Sequence, residues 1–206
     1  MRGKQAFPLV AIPLVAAVVL GVLWLLRPRD DVAIRRVLLE HIRGVLTRDG
    51  KREGDDYTVG AIEILGQDSE SALALVPLRI RGESRSHFFA VRRRGAAWNV
   101  EHDLAEHFRA QAEGPAFVRA VSERLAKVML ERLRMTVSVT MVEGKPFQYQ
   151  LLRDGDSVVA KCRFAFLIPR EDGKQERIEY VEDFRYRDGR WEVAGTGQIL
   201  QFRDVR

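Results

Sequence analysis

The sequence predicts an α+β protein, with one N-terminal transmembrane helix followed by two repeated units of a helix packed on a curved antiparallel sheet. Three observations carry this expectation. An uncharged apolar run opens the chain. The hydrophobic period then switches twice from helical to alternating. Glycine- and aspartate-bearing turns punctuate both alternating stretches. The 206 residues are 46% hydrophobic and 31% charged, the balance of a folded chain and not of a disordered one. The single cysteine excludes an internal disulfide framework and a cysteine-rich metal site. The expected boundaries are 1–29 for a short tail and anchor, 30–113 for the first unit and 114–206 for the second.

The anchor is the strongest signal. Residues 6–26 read AFPLVAIPLVAAVVLGVLWLL, 21 residues without a charge. About 20 apolar residues at a rise of about 1.5 Å cross a bilayer core of about 30 Å. Arg2 and Lys4 precede the run, and Arg27 and Arg29 follow it. Trp24 lies near its end, where an indole suits the lipid–water boundary, so Trp24, Arg27 and Arg29 are the expected membrane-interface residues. The rival is a cleaved signal peptide, which needs a shorter apolar core and a small-x-small cleavage site. The run ends Leu25-Leu26-Arg27-Pro28-Arg29, with no small residues to cut after. Lys and Arg counts alone favour a cytoplasmic soluble part, but long domains translocate largely regardless of charge. The tail is also short and carries Arg2, Lys4 and the α-amino group. The orientation expected here is an extracytoplasmic domain on a single-pass protein of the cell's inner membrane.

Helix and strand signals then alternate. Ile34, Val37, Leu38, Ile42, Val45 and Leu46 fall on one helical face, with Asp30 or Asp31 as the expected N-cap. Residues 48–56 form a charged loop. Strands are expected at 57–66, 71–81 and 86–94, closed by Trp98-Asn99-Val100, with Pro77 marking an edge or a bulge. A short helix is expected at 103–112. Gly114-Pro115 starts another helix, whose stripe is Phe117, Val118, Val121, Leu125, Val128 and Met129. Strand-like runs follow at 135–142, 147–153, 157–168, 177–187 and 190–202. Their turns are Glu143-Gly144-Lys145, Asp154-Gly155-Asp156, Glu171-Asp172-Gly173 and Asp188-Gly189.

The two halves look alike. Phe89-Ala-Val-Arg-Arg-Arg-Gly95-Ala-Ala-Trp98-Asn-Val100 parallels Phe184-Arg-Tyr-Arg-Asp-Gly189-Arg-Trp191-Glu-Val193. Each unit is a helix followed by a meander ending in glycine and tryptophan, the signature of a tandem repeat. On these residues the chain resembles the nuclear-transport-factor-like and cystatin-like α+β folds. The resemblance is carried best by 184–193, more loosely by 89–100, and covers 31–202 in outline. It implies a cone of helix and curved sheet. The layout of tail, span and exported domain also resembles the bitopic assembly subunits of type IV secretion systems. Such folds host enzymes, pockets and scaffolds alike, so the fold does not supply the function.

Few residues point to chemistry. His102 and His107 are five apart, about 140° on a helix, so they do not share the face that a zinc-hydrolase pair needs. An enzyme of this superfamily would need a buried carboxylate with a tuned pKa beside a His or Tyr. Tyr149, Tyr180, Tyr186 and Asp183 are present; Tyr180 and Glu182 share strand parity and Asp183 faces the other way. Cys162 sits in an alternating strand and reads as a packing residue. No phosphate loop, nucleophile elbow or dinucleotide fingerprint occurs. Setting Arg2 and Lys4 aside lowers the net charge from +5 to +3, too weak for a nucleic-acid partner. The prominent surface feature is Arg79, Arg81, Arg85, Arg92, Arg93 and Arg94 on two neighbouring strands. Paired as a hairpin, those strands would gather several guanidiniums at one end of the sheet. There they would meet a partner's acids or the anionic heads of the lipid bilayer, or else guard a strand against edge pairing. The expectation is a non-enzymatic, cofactor-free docking or scaffold subunit of an integral membrane protein complex. A tethered lipid or small-ligand binder is the second reading and an isomerase-like enzyme the third.

Overall fold

A computed structural model of the chain describes residues 30–134, 139–141, 147–169 and 173–204. The apolar run 6–26, with Trp24, Arg27 and Arg29, lies outside the described residues, as do the turn at 143–145 and most of the run 135–142. No helix among the described residues is long and apolar enough to cross a membrane. The described architecture is α+β, with helices on antiparallel sheets.

Helix α1 spans Asp30–Arg48. Ile34, Leu38, Ile42 and Leu46 are buried, one residue per turn, and Val37 and Val45 flank them half-buried. Asp30 is already in the first turn and does not cap from outside. Its carboxylate faces the sheet instead, accepting from Trp98 Nε1 at 3.1 Å.

The first sheet contains β1 (Tyr57–Val59), β2 (Glu63–Gln67), β3 (Ser71–Ile80), β4 (Glu83–Arg94) and β5 (Ala97–Asp103). Strand β3 has β1 and β2 on one side and β4 on the other, and β5 follows β4. The expected single strand 57–66 is therefore two, and Pro77 lies on an inner strand, not an edge. One cause explains both corrections. In an antiparallel ladder a residue's N–H and C=O point the same way. The Pro77 carbonyl accepts from Gly60 N at 2.7 Å, so its missing N–H also faces this partner. The partner breaks between Val59 and Glu63, opposite that gap.

Alternation along β3 gives the sheet two covered faces. Ala72, Ala74, Val76 and Leu78 pack against α1 with Phe89, Val91 and Trp98. Leu73 and Leu75, with Phe88 and Ala90 of β4, face the second core instead. That core also receives α2 (Leu104–Ala112) through Leu104, Phe108 and Ala112. Asp103 caps α2, accepting from the backbone N–H of Ala105 and Glu106.

Helix α3 (Pro115–Leu133) opens on Gly114 with proline in its first turn, as expected. Phe117, Val121, Leu125, Val128 and Met129 are buried, and Val118 is half-buried. The second sheet holds β6 (Thr140–Met141), β7 (Phe147–Asp154), β8 (Ser157–Pro169), β9 (Gln175–Arg187), β10 (Arg190–Val193) and β11 (Gln198–Asp204). Strands β6 and β7 border β8, β8 pairs with β9, and β10 and β11 both pair with β9. The first sheet shares part of this succession, two strands beside a long one and then a long hairpin, but it closes with one strand where the second sheet has β10 and β11. The Asp188-Gly189 turn has both residues at positive φ, as a two-residue type I′ hairpin requires.

Candidate functional site

The hairpin β3–β4 forms, but it does not collect the six arginines. Arg79 pairs in register with Ser84 and Arg85 with Leu78, beside the Arg81-Gly82 turn. Arg92 pairs with Ser71 at the opposite end. Arg85 and Arg92 are thus separated by about 23 Å of strand, at about 3.3 Å per residue. The expected single cluster is two, because both groups lie on one long straight ladder. At the turn end, Arg85 pairs with Glu83 at 2.8 Å, and Arg79 and Arg81 are exposed. At the other end, Arg92 meets Glu101 at 3.1 Å. Arg93 meets Asp30 at 3.6 Å and lies over the Trp98 ring at 5.7 Å. Arg94 is exposed.

Between the sheets runs an open cleft of about 650 Å³. Leu75 and Phe88 of the first sheet, Ala105 of α2, and Tyr149 and Leu151 of β7 form its apolar floor. Arg85, His87, Glu63 and Arg153 stand on its rim. Tyr149 Oη donates to Ala105 O at 3.1 Å, fixing the floor to α2. Arg153 pairs with Glu63 across the two sheets. A second hollow of about 320 Å³, lined by Leu78, Ile80, Arg81 and Glu83, shares Arg85 and His87 with the first. The basic turn end and the cleft therefore form one continuous surface, and Arg85 belongs to both.

His87 Nδ1 lies 3.9 Å from Asp103 Oδ2. Burial pushes the Asp103 carboxyl up, but His87 and the amides of Ala105 and Glu106 outweigh it and hold the group below its usual range.

Among the described residues one charged side chain is deeply buried, Glu182 of β9 at 2% exposure. Tyr180 Oη donates to Glu182 Oε2 at 2.5 Å, and Arg124 Nε of α3 donates to the same oxygen at 3.3 Å. Gly197 N donates to Oε1 at 3.1 Å, and Arg124 Nη2 donates to Gly195 O at 3.1 Å. Burial, then the Glu182 hydrogen bond, pushes the Tyr180 phenol well above its usual range. This site ends the run 190–202, which was expected to be one strand. A Cβ on Gly195 would stand 2.7 Å from Glu182 Oε1, and one on Gly197 only 2.1 Å from Tyr180 Oη. The backbone comes too close to the buried acid to stay in the ladder with side chains present. Strand parity had put Tyr180 and Glu182 on one face, without saying that this face is the interior. Arg124 had no such signal, being one polar residue bordering an apolar helical stripe.

The histidine pair departs from expectation. His102 belongs to β5 and His107 to α2, so the two are not on one helix, and their rings stack at 4.1 Å. Burial, then the charge of His102, lowers the His107 pKa. His107 Nδ1, Tyr186 Oη and Trp191 Nε1 are buried without a hydrogen-bond partner. Trp98, at the matching place in the first unit, has Asp30 to donate to. Burial, then Glu101, pushes the Tyr186 phenol to about 12. The Cys162 thiol is buried and held far above its usual pKa, first by burial, then by Asp183 and Glu182. That is the reverse of what activates a nucleophile. Among the described residues, no group of three or more metal-ligating side chains converges. No protein-family model matches the chain, and no curated protein matches it in sequence.

Proposed function

We propose that this chain is a non-enzymatic, single-pass membrane protein whose tandem α+β part docks onto a larger membrane complex. The tandem reading rests on the shared succession of a 19-residue helix, two bordering strands and a long hairpin, closed by one strand in the first sheet and by two in the second. That succession is what a nuclear-transport-factor-like or cystatin-like duplication would produce. Anchorage rests on the apolar run 6–26.

The observation that carries docking is the open cleft between the sheets. Its floor is apolar, its rim holds Arg85 and Arg153, and it is about 650 Å³. An extended or helical partner segment with apolar side chains and carboxylates fits that chemistry. A ligand-binding cone is less well supported. The space between α3 and the second sheet is filled by Phe117, Phe164 and Phe184, with Phe117 and Phe184 centroids 4.8 Å apart. The enzyme reading is weaker still. Both oxygens of the buried Glu182 carboxylate accept hydrogen bonds from within the fold, which suits closure of the β10–β11 segment better than proton transfer.

Photo-crosslinking in intact membranes tests the docking surface. A crosslinker at Gln150, exposed in the cleft, is expected to capture one discrete integral membrane protein. The same group at Glu40, exposed on α1, which packs on the other face of the first sheet, is expected to capture none. Equal capture at both positions, or capture at Glu40 alone, contradicts docking through the cleft.

A further inference from the structure

Helix α2 links the cleft to a second contact between the halves. Its first turn borders the cleft: Asp103 caps it beside His87, and Ala105 O accepts from Tyr149 Oη at 3.1 Å on the cleft floor. Its next residues meet the β9–β10 hairpin. There the His107 ring stands edge-on to Tyr186 at 5.7 Å, and Phe108 stands edge-on to Trp191 at 5.0 Å. Gln111 closes this contact from the last turn. Its Nε2 donates to Trp191 O at 3.1 Å, and its Oε1 accepts from Trp191 N at 3.2 Å. Ala105 and His107 are two residues apart on one helix, so α2 cannot leave the hairpin without disturbing the cleft floor.

The contact with the hairpin favours a neutral His107. Its ring stacks on His102 of β5 at 4.1 Å, so a charge on either imidazole faces the other ring. His107 Nδ1 is buried without a hydrogen-bond partner. A protonated imidazole carries hydrogens on both nitrogens, so charging His107 places a buried N–H where no acceptor stands. The other elements at the contact offer little relief. Glu101 of β5 is the anion that favours the charged ring, and it is paired with Arg92 of β4 at 3.1 Å. Strand β9 brings the Tyr186 phenol and β10 the Trp191 indole, whose polar atoms are themselves buried without partners. On α2 itself, Glu106 is exposed. Burial, then His102, outweighs Glu101 and holds His107 below its ordinary range.

We propose that the stacked His102–His107 pair is an acid-released latch, which holds α2 on the β9–β10 hairpin at neutral pH and loosens α2, and with it the cleft floor, when His107 is protonated. The histidine at the other end of α2 acts in the opposite sense. A charge on His87 strengthens its pairing with Asp103, so acid does not open the helix from its cap. The latch stands on its own geometry. Its consequence for partner binding rests on the docking reading above.

The test is amide hydrogen exchange of the full chain in detergent micelles, at about pH 7.5 and about pH 5.5, corrected for the intrinsic effect of pH. Peptides from α2 are expected to lose protection about fivefold at the lower pH, and peptides from α1 to keep theirs. His107→Phe keeps an aromatic ring without a titrating nitrogen and is expected to abolish the change. His107→Gln is expected to do the same, and His87→Gln to leave the change in place. Protection of α1 at the higher pH checks that each variant is folded. Equal loss in α1 and α2 overturns the latch, since acid then acts on the whole fold. An acid response that survives both His107 variants overturns it too. The crosslinker at Gln150, used at the same two pH values, reads the consequence: capture is expected at the higher pH and to fall at the lower. Equal capture at both, in a chain whose α2 opens, overturns the coupling to the cleft. No capture at either pH contradicts docking itself, and the exchange result still decides the latch.

Discussion

Removing the Glu182 carboxylate would leave two buried donors without an acceptor, the Tyr180 phenol and the Gly197 N–H, while the half-exposed Arg124 keeps Gly195 O. Glu182→Ala is expected to lower unfolding free energy by about 2–4 kcal/mol, since each buried donor left unsatisfied costs about 1–3 kcal/mol. Tyr180→Phe, which removes a single hydrogen bond to a charged group, is expected to cost about 2 kcal/mol. Urea titrations read both, with unchanged m-values. Gly197→Ala is expected to cost more than about 2 kcal/mol, because its φ is +63° and a Cβ would collide with Tyr180 Oη. A pH dependence belongs to this scale too. The folded pKa of His107 lies below its ordinary 6.5, so the folded state prefers the neutral ring. The stability it contributes is present above pH 6.5 and is lost as pH falls through the folded value. The depressed Asp103 acts in a separate window, its contribution present above pH 3.8 and lost below that. His107→Gln is expected to flatten the upper window and leave the lower one, in unfolding curves recorded as a function of pH.

At the scale of elements, α1 offers the cleanest comparison. Gly44 has open space around its missing Cβ, and Gly44→Ala is expected to stabilise by about 0.8–1 kcal/mol. Leu38, fully buried on the same helix, is expected to cost about 2–5 kcal/mol as Leu38→Ala. Thermal melts of the two variants should therefore move in opposite directions. The helices were legible in the sequence because each carries a local apolar stripe closed by residues close in sequence. The hairpins were legible because Asp188-Gly189 and its kin write their turn type locally. The strand breaks were not. The break opposite Pro77 depends on which side its missing N–H faces, and only the pairing decides that. The break at Gly195 and Gly197 depends on Arg124, on another element and 58 residues from Glu182. The arginines were read correctly as residues of one hairpin. Their separation into two ends was legible too, since Arg85 and Arg92 are seven residues apart on one strand, about 23 Å at about 3.3 Å per residue.

On the scale of the whole molecule, the first sheet is shared. One face packs on α1, and the other contributes Leu65, Phe88 and Ala90 to the core built mostly by the second half. Helix α2, which lies before residue 114, gives all three of its buried side chains to that same core. The two halves of the chain therefore depend on each other. Residues 30–206 are expected to unfold in urea in a single transition, and residues 30–113 alone not to yield a stable monomer. A second transition in the longer chain would show independent halves. The shared sheet also explains where the cleft comes from. Two meanders meeting at their edges, with β7 against β2 and β4, leave a trough that neither half forms by itself.

The central claim is that this trough and its basic rim serve a larger membrane assembly. The most direct measurement is extraction of the native protein in a mild detergent, followed by size analysis and mass spectrometry of what travels with it. The account predicts a discrete assembly with integral membrane partners in fixed ratio. A lone chain of 23.5 kDa in its micelle would contradict it.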